Sequence, residues 1–176
     1  MGIFRSRRAG RRLALAAVFA FAVCGFSGAW AQQKSGSLRQ QILGTWSLVS
    51  QYVEQDGKRT ERFGSDPKGI AIYERNGQFV QFLQRRSLPK FASNNAMTGT
   101  ADENKAVVQG SIAYFGTYTV DEKERTISSR VGGSSYPNWD GAEQKRTISI
   151  SGDELKISLP GAAIGGTAHT VWKRIK

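Results

Sequence analysis

Ile42-Leu43-Gly44-Thr45-Trp46-Ser47-Leu48-Val49-Ser50 decides the fold class of this chain. Apolar and polar side chains alternate along it, which is the period of a strand buried on one side. Strict alternation puts Trp46, Leu48, Ser50 and Tyr52 on one face and Thr45, Ser47, Val49 and Gln51 on the other. Gly44 lets the backbone turn sharply into the strand, and the indole of Trp46 is large enough to plug one end of a small β-barrel. Any small β-protein can begin on a buried tryptophan, so the strands that follow must decide.

They read as an antiparallel meander interrupted once. The first strand runs to about Gln55 and ends at Asp56-Gly57, a hairpin pair. A short strand near Arg59–Phe63 precedes the turn formers Gly64-Ser65-Asp66-Pro67-Lys68-Gly69. Ile70–Arg75 and Gln78–Gln84 flank Asn76-Gly77, the preferred pair for a type I′ turn. Later strands are expected at Tyr114–Val120, Thr126–Val131, Glu143–Ile150, Glu154–Leu159 and Thr167–Ile175, with Ser151-Gly152-Asp153 as a tight turn. The chain is therefore expected to be all-β: an antiparallel up-and-down barrel of 8–9 strands with one short helix inserted. The helix is expected from Thr100-Ala101-Asp102-Glu103, a capping box, to about Gln109. The breaker-rich stretch before it, Ser87–Asn95, is too long for a simple turn. Helix and loop either close one mouth of the barrel or seal a gap between strands.

The chain is expected to carry three parts: a cleaved secretory signal at 1–31, a flexible polar leader at 32–41 and a barrel domain at 42–176. Arg5, Arg7, Arg8, Arg11 and Arg12 precede an apolar stretch from Leu13 to Phe26, and Ala29-Trp30-Ala31 is a small-x-small cleavage site. The apolar stretch is short for a span of about 20 residues. No membrane span is expected after cleavage, and the location expected is periplasmic or secreted. Cleavage after Ala31 lowers the net charge from +11 to +6 and removes Cys24, the only cysteine. The remaining basic residues are interleaved with acids, so nucleic acid is not an expected partner.

In order along the chain, Leu43–Ser50, Phe63–Gly69, Pro89-Lys90-Phe91-Ala92-Ser93, Gly99-Thr100, Tyr114–Asp121 and Pro137-Asn138-Trp139 resemble the bacterial and fungal lipocalin-like domain family over nearly all of 42–175. The resemblance implies a compact barrel with a central cavity and implies no reaction. Where relatives often carry His before the Val of the strand ahead of Pro-Asn-Trp, this chain has Ser129-Arg130, so no His-dependent role carries over.

Motifs for chemistry are few. His169 is the sole histidine and is out of phase with Trp172 and Arg174, which places it on the outside. The carboxylates fall mainly in turns. No nucleophile elbow, phosphate loop or dinucleotide fingerprint is present, so no cofactor, no metal site and no catalytic residues are expected. Trp172 and Arg174 share a face, from which the guanidinium can stack on Trp46 at the barrel base.

Tyr114, Tyr118, Arg130, Asn138, Trp139 and Phe91 are the candidate ligand-binding residues. Tyr114 and Tyr118 share a strand face and supply ring area with a polar tip. Each tyrosine also suits plain core packing, and Arg130 faces either the lumen or the solvent. The expected site lies near a mouth formed by Pro89–Thr100 and Tyr136–Trp139. The expected function is an exported barrel that holds a small hydrophobic or amphipathic, largely apolar molecule. The alternative is an isomerase or cyclase that works on a small molecule in the same cavity with Tyr hydroxyls and Arg130. Oligomeric state is left open by the sequence.

Overall fold

A computed structural model describes residue 2 and residues 36–162 and 165–176. The expected signal segment, Gly2 apart, and residues 32–35 lie outside the described residues. Nine strands follow one another in a single antiparallel sheet: β1 (Gly44–Gln55), β2 (Lys58–Glu61), β3 (Lys68–Tyr73), β4 (Gln78–Gln84), β5 (Ser111–Asp121), β6 (Thr126–Ser134), β7 (Glu143–Ser151), β8 (Glu154–Pro160) and β9 (Thr167–Arg174). β9 pairs back onto β1, which closes eight strands into a barrel and leaves β2 as an extra strand on the far half of β1. Closure removes the open sheet edges that would otherwise invite pairing between chains. Among the described residues no helix is long and apolar enough to cross a membrane.

One end of the barrel is sealed. Residues 38–41, expected in the polar leader, instead belong to a short helix, α1 (Leu38–Ile42), whose Leu38 and Ile42 are buried. Ser37 caps it with a capping box, and the Glu122 carboxylate accepts hydrogen bonds from the amides of Leu38 (2.8 Å) and Arg39 (2.9 Å). The chain enters β1 through Gly44 at φ +107°, a conformation that glycine adopts without Cβ strain. Trp46 is fully buried and its indole N–H donates to Ile42 O at 2.8 Å. The Arg174 guanidinium lies 4.0 Å from the Trp46 ring centroid and donates to Leu43 O at 2.8 Å. Trp172 is fully buried beside this plug, as the phase of Trp172 and Arg174 required.

The face assignment along β1 holds only as far as Leu48. A β-bulge between Leu48 and Ser50 adds one residue against β9 and reverses the phase, because a single inserted residue moves every later side chain to the other face. Gln51 and Val53 therefore point inward, and Ser50 and Tyr52, expected inside, do not. Tyr52 packs outside against His169, with ring centroids 5.0 Å apart, and beneath the Arg59 guanidinium.

The β3–β4 hairpin also differs from expectation. Glu74 N donates to Gln78 O and Gly77 N to Glu74 O, which leaves a three-residue loop with Gly77 at φ +85°. That is a type I turn followed by a left-handed glycine, in place of the two-residue type I′ form. Asn76 accepts from Gln78 N through its side chain, which stabilises this alternative. The expected helix is present as α2 (Ala101–Gly110), with Thr100 and Glu103 forming the capping box.

Candidate functional site

Away from the sealed base the barrel holds a cavity of about 770 Å³. The upper halves of the strands carry small or polar residues on the inner face where the base carries large rings. Gln51 on β1, Gln81 on β4, Ser129 on β6, Gln144 and Arg146 on β7 and Thr170 on β9 all reach it. Tyr73, Leu83, Ile112, Tyr114, Ile127 and Ile157 supply the apolar part of the wall.

The floor contains a hydrogen-bonded chain of three buried groups. The Tyr114 hydroxyl donates to Gln81 Oε1 at 2.6 Å, and Gln81 Nε2 donates to the Tyr73 hydroxyl at 2.6 Å. Burial raises the pKa of both phenols, most strongly Tyr73, while the nearby Arg146 charge pulls each of them back down. Both phenols are neutral at physiological pH. Side-chain amide oxygens of Gln51 and Gln144 are buried with no hydrogen-bond partner among the described residues.

Of the six candidate residues, two line the cavity. Tyr114 lies in its wall, and Trp139, part-buried in the 3-10 turn Pro137–Trp139, packs edge-on to Tyr114 with ring centroids 5.3 Å apart. Tyr118 belongs to the closed end: it packs edge-on to Tyr73 and donates to Glu74 O at 3.0 Å, and it does not line the cavity. Arg130 points outward and pairs with Glu143 at 3.3 Å, both largely exposed. Phase explains this, because Ile127, Ser129 and Val131 are buried on the inner face and Arg130 alternates with them. Asn138 is exposed, and Phe91 packs near Gly99 outside the barrel.

The mouth differs from expectation as well. No residue between Arg85 and Gly110 lines the cavity, so neither the Pro89–Thr100 loop nor α2 covers it. The rim is formed by Thr60 and Arg62 from the β2 region, Trp139, Glu143 and Ala162. The lumen residues missed from the sequence are Tyr73, Gln81, Gln144 and Arg146. Their signal was the same two-residue phase: Gln144 and Arg146 align with the inward-facing Ile148, and Tyr73 aligns with the buried Ala71.

Chemically, the site offers neutral hydroxyl and amide donors, one internal guanidinium and aromatic walls. Among the described residues the single carboxylate at the cavity, Glu143, is turned toward Arg130, so among them no acid–base pair converges on the lumen.

Residues 43–175 match the family model of the lipocalin-like domain. The chain is also similar to a 4'-hydroxy-3'-methoxypropiophenone carrier protein of Aspergillus oryzae, with 33% identity over 103 residues, 53% of this chain and 93% of the relative.

Proposed function

This chain belongs to the lipocalin-like domain family, and we propose that it is an exported carrier that holds one small, largely apolar molecule in its barrel. The observation that carries this reading is the cavity of about 770 Å³ above a sealed base. Its volume falls within the roughly 300–1,000 Å³ of small-molecule sites, and its walls combine aromatic surface with a few polar groups. The relative's name describes a carrier of an aromatic ketone that also bears a hydroxyl, a ligand type that Tyr114 and Trp139 suit. Export rests on the Arg-rich start, the apolar stretch and Ala29-Trp30-Ala31. The intact mass of the exported protein should correspond to a chain that starts at Gln32; a mass that still includes residues 1–31 overturns that part.

Binding is tested by titrating the purified protein with a neutral aromatic probe and following tryptophan fluorescence. One probe should bind per chain, and Tyr114→Ala combined with Trp139→Ala should weaken it by about tenfold or more, equivalent to about 1.4 kcal/mol. Trp139→Phe should abolish most of the fluorescence change, because Trp46 and Trp172 are sealed in the base. Probe affinity that ignores the Tyr114 and Trp139 substitutions refutes the assignment of this cavity.

A further inference from the structure

Arg146 is the least expected side chain in the barrel. It lies on β7 in the same phase as Ile148, faces the lumen, and sits across the ladder from Ile127. Tyr73 and Tyr114 lie close enough to feel its charge. Among the described residues its guanidinium makes no ion pair and no side-chain hydrogen bond. Residues 1–35 and 163–164, mostly outside the described part, contain no Asp or Glu, so they offer it no carboxylate side chain. Glu143, the one acid at the cavity, lies on the opposite face of β7 and pairs with Arg130. Structural arginines that face the interior of a barrel are normally paired, and this one faces the cavity without a counter-ion.

A second feature points to the same spot and is independent of charge. In the chain Tyr73–Gln81–Tyr114 the central amide has one oxygen and one nitrogen, each facing one phenol. Whichever way the amide is turned, one phenol donates to its oxygen and the other accepts from its nitrogen. One phenol hydrogen is therefore left without an acceptor inside the triad. The floor thus presents a cation and a spare neutral donor to the same space; the amide oxygens of Gln51 and Gln144 also lie in this cavity, yet no hydrogen bond reaches them among the described residues.

We propose that the molecule carried is an organic acid: an apolar body whose single anionic oxygen group, a carboxylate or an ionised phenol, binds at Arg146 and the uncommitted hydroxyl of the Tyr73–Gln81–Tyr114 triad. This rests on the carrier reading above and adds to it the charge and orientation of the ligand. The anionic group goes in first, to the floor, and the apolar body fills the space toward Trp139. Arg62 on the rim and Lys145 among the lining residues add to a positive field at the entrance. Guanidinium to oxyanion hydrogen bonds are the stronger, charge-assisted kind, and the phenol adds direction.

Two matched pairs of probes test this: 2-naphthoic acid against its methyl ester, and 4-nitrophenol against 4-nitroanisole in mildly alkaline buffer. At least one anion should bind about tenfold or more tighter than its neutral partner, a gap of about 1.4 kcal/mol. Preference in the first pair assigns a carboxylate, and in the second a phenolate. Arg146→Met should bring each pair to within about twofold by weakening only the anion. Arg146→Lys, which keeps the charge, should retain most of the preference and shows that the site still folds. Equal binding within both pairs in the unmodified protein, or a preference that survives Arg146→Met, overturns the acid assignment and leaves the carrier reading standing. Failure of all four probes to bind overturns the carrier reading itself.

Discussion

Replacing Trp46 by Ala removes the centre of the sealed base, and its cost follows from what the indole touches. The side chain is fully buried, so deleting it costs about 3–5 kcal/mol in transfer and cavity terms. Ile42 O, deprived of the indole N–H at 2.8 Å, becomes a buried acceptor without a partner, for roughly a further 1 kcal/mol. Arg174 is deprived of the ring it stacks on at 4.0 Å, worth about 0.5–1 kcal/mol. A loss of about 5 kcal/mol should lower the melting temperature of a domain of this size by on the order of 15 °C. Trp46→Phe keeps a ring beneath Arg174 and forfeits chiefly the hydrogen bond, so it should cost about 1–2 kcal/mol. Urea unfolding followed by far-UV circular dichroism measures both, and an unchanged slope shows that the same surface is exposed. Binding of a probe by the folded fraction should stay within about twofold, because the cavity lies beyond the base. A Trp46→Ala protein that melts within about 3 °C of the parent refutes the reasoning that this plug holds the barrel closed.

Two further predictions concern the strands. Deleting Val49 removes the bulge residue between Leu48 and Ser50, turns Gln51 and Val53 out and Tyr52 in, and should prevent cooperative folding; Val49→Thr, at a site 48% exposed, should change stability by less than about 0.5 kcal/mol. A deletion variant that melts like the parent refutes the bulge as the setter of register. His169, the sole histidine, has its pKa lowered by burial, then by the Lys156 charge, against a smaller opposing effect of Glu54 and a further lowering by Arg59. A depressed folded-state pKa means that the unfolded chain binds the proton more readily, so its stability contribution is complete above the unfolded value of about 6.5 and is lost as pH falls through the folded value. Melting temperature should decline on acidification across that window in the parent and stay flatter in His169→Gln; identical profiles overturn this.

Most of the barrel was legible because its inner face alternates with large apolar residues: Trp46 and Leu48, Ala71 and Tyr73, Ile127 and Val131, Ile148 and Ile150. The bulge was not legible. From Ser50 to Tyr52 each side chain is acceptable on either face, so the alternation cannot report an inserted residue. The short helix α1 was hidden for a related reason: Leu38 and Ile42 are one helical turn apart, yet the residues between them are all polar. The lumen was half legible. Trp139 and Tyr114 stood out as aromatic, whereas Glu143-Gln144-Lys145-Arg146 reads as a uniformly polar strand end. Arg130 drew attention as a strand arginine that would seek an acidic ligand group if it faced the lumen, although Ile127, Ser129 and Val131 already put it outside.

The bulge and the polar lumen escape the pattern for one reason, and it bears on function. Sequence patterns report where hydrophobic burial drives folding, and in this barrel that force is concentrated at the base, where Trp46, Trp172, Ile42 and Leu155 are fully buried. Stability supplied there lets the other half of the same strands keep groups that folding alone would not select, such as the unpartnered Gln51 and Gln144 oxygens and the lumen-facing Arg146. Local conflict with the folding pattern is expected where a protein meets its ligand. The two halves should therefore respond differently to mutation. Substitutions at Trp46 or Tyr118 should act on melting temperature with little effect on the affinity of the folded fraction. Substitutions at Arg146 or Gln144 should act on affinity and leave stability unchanged or raised, whereas Tyr114, buried and hydrogen-bonded to Gln81, should affect both. Arg146→Met tests the point, because it should bind acids more weakly and melt no lower than the parent. A variant that loses both would show that Arg146 serves the fold.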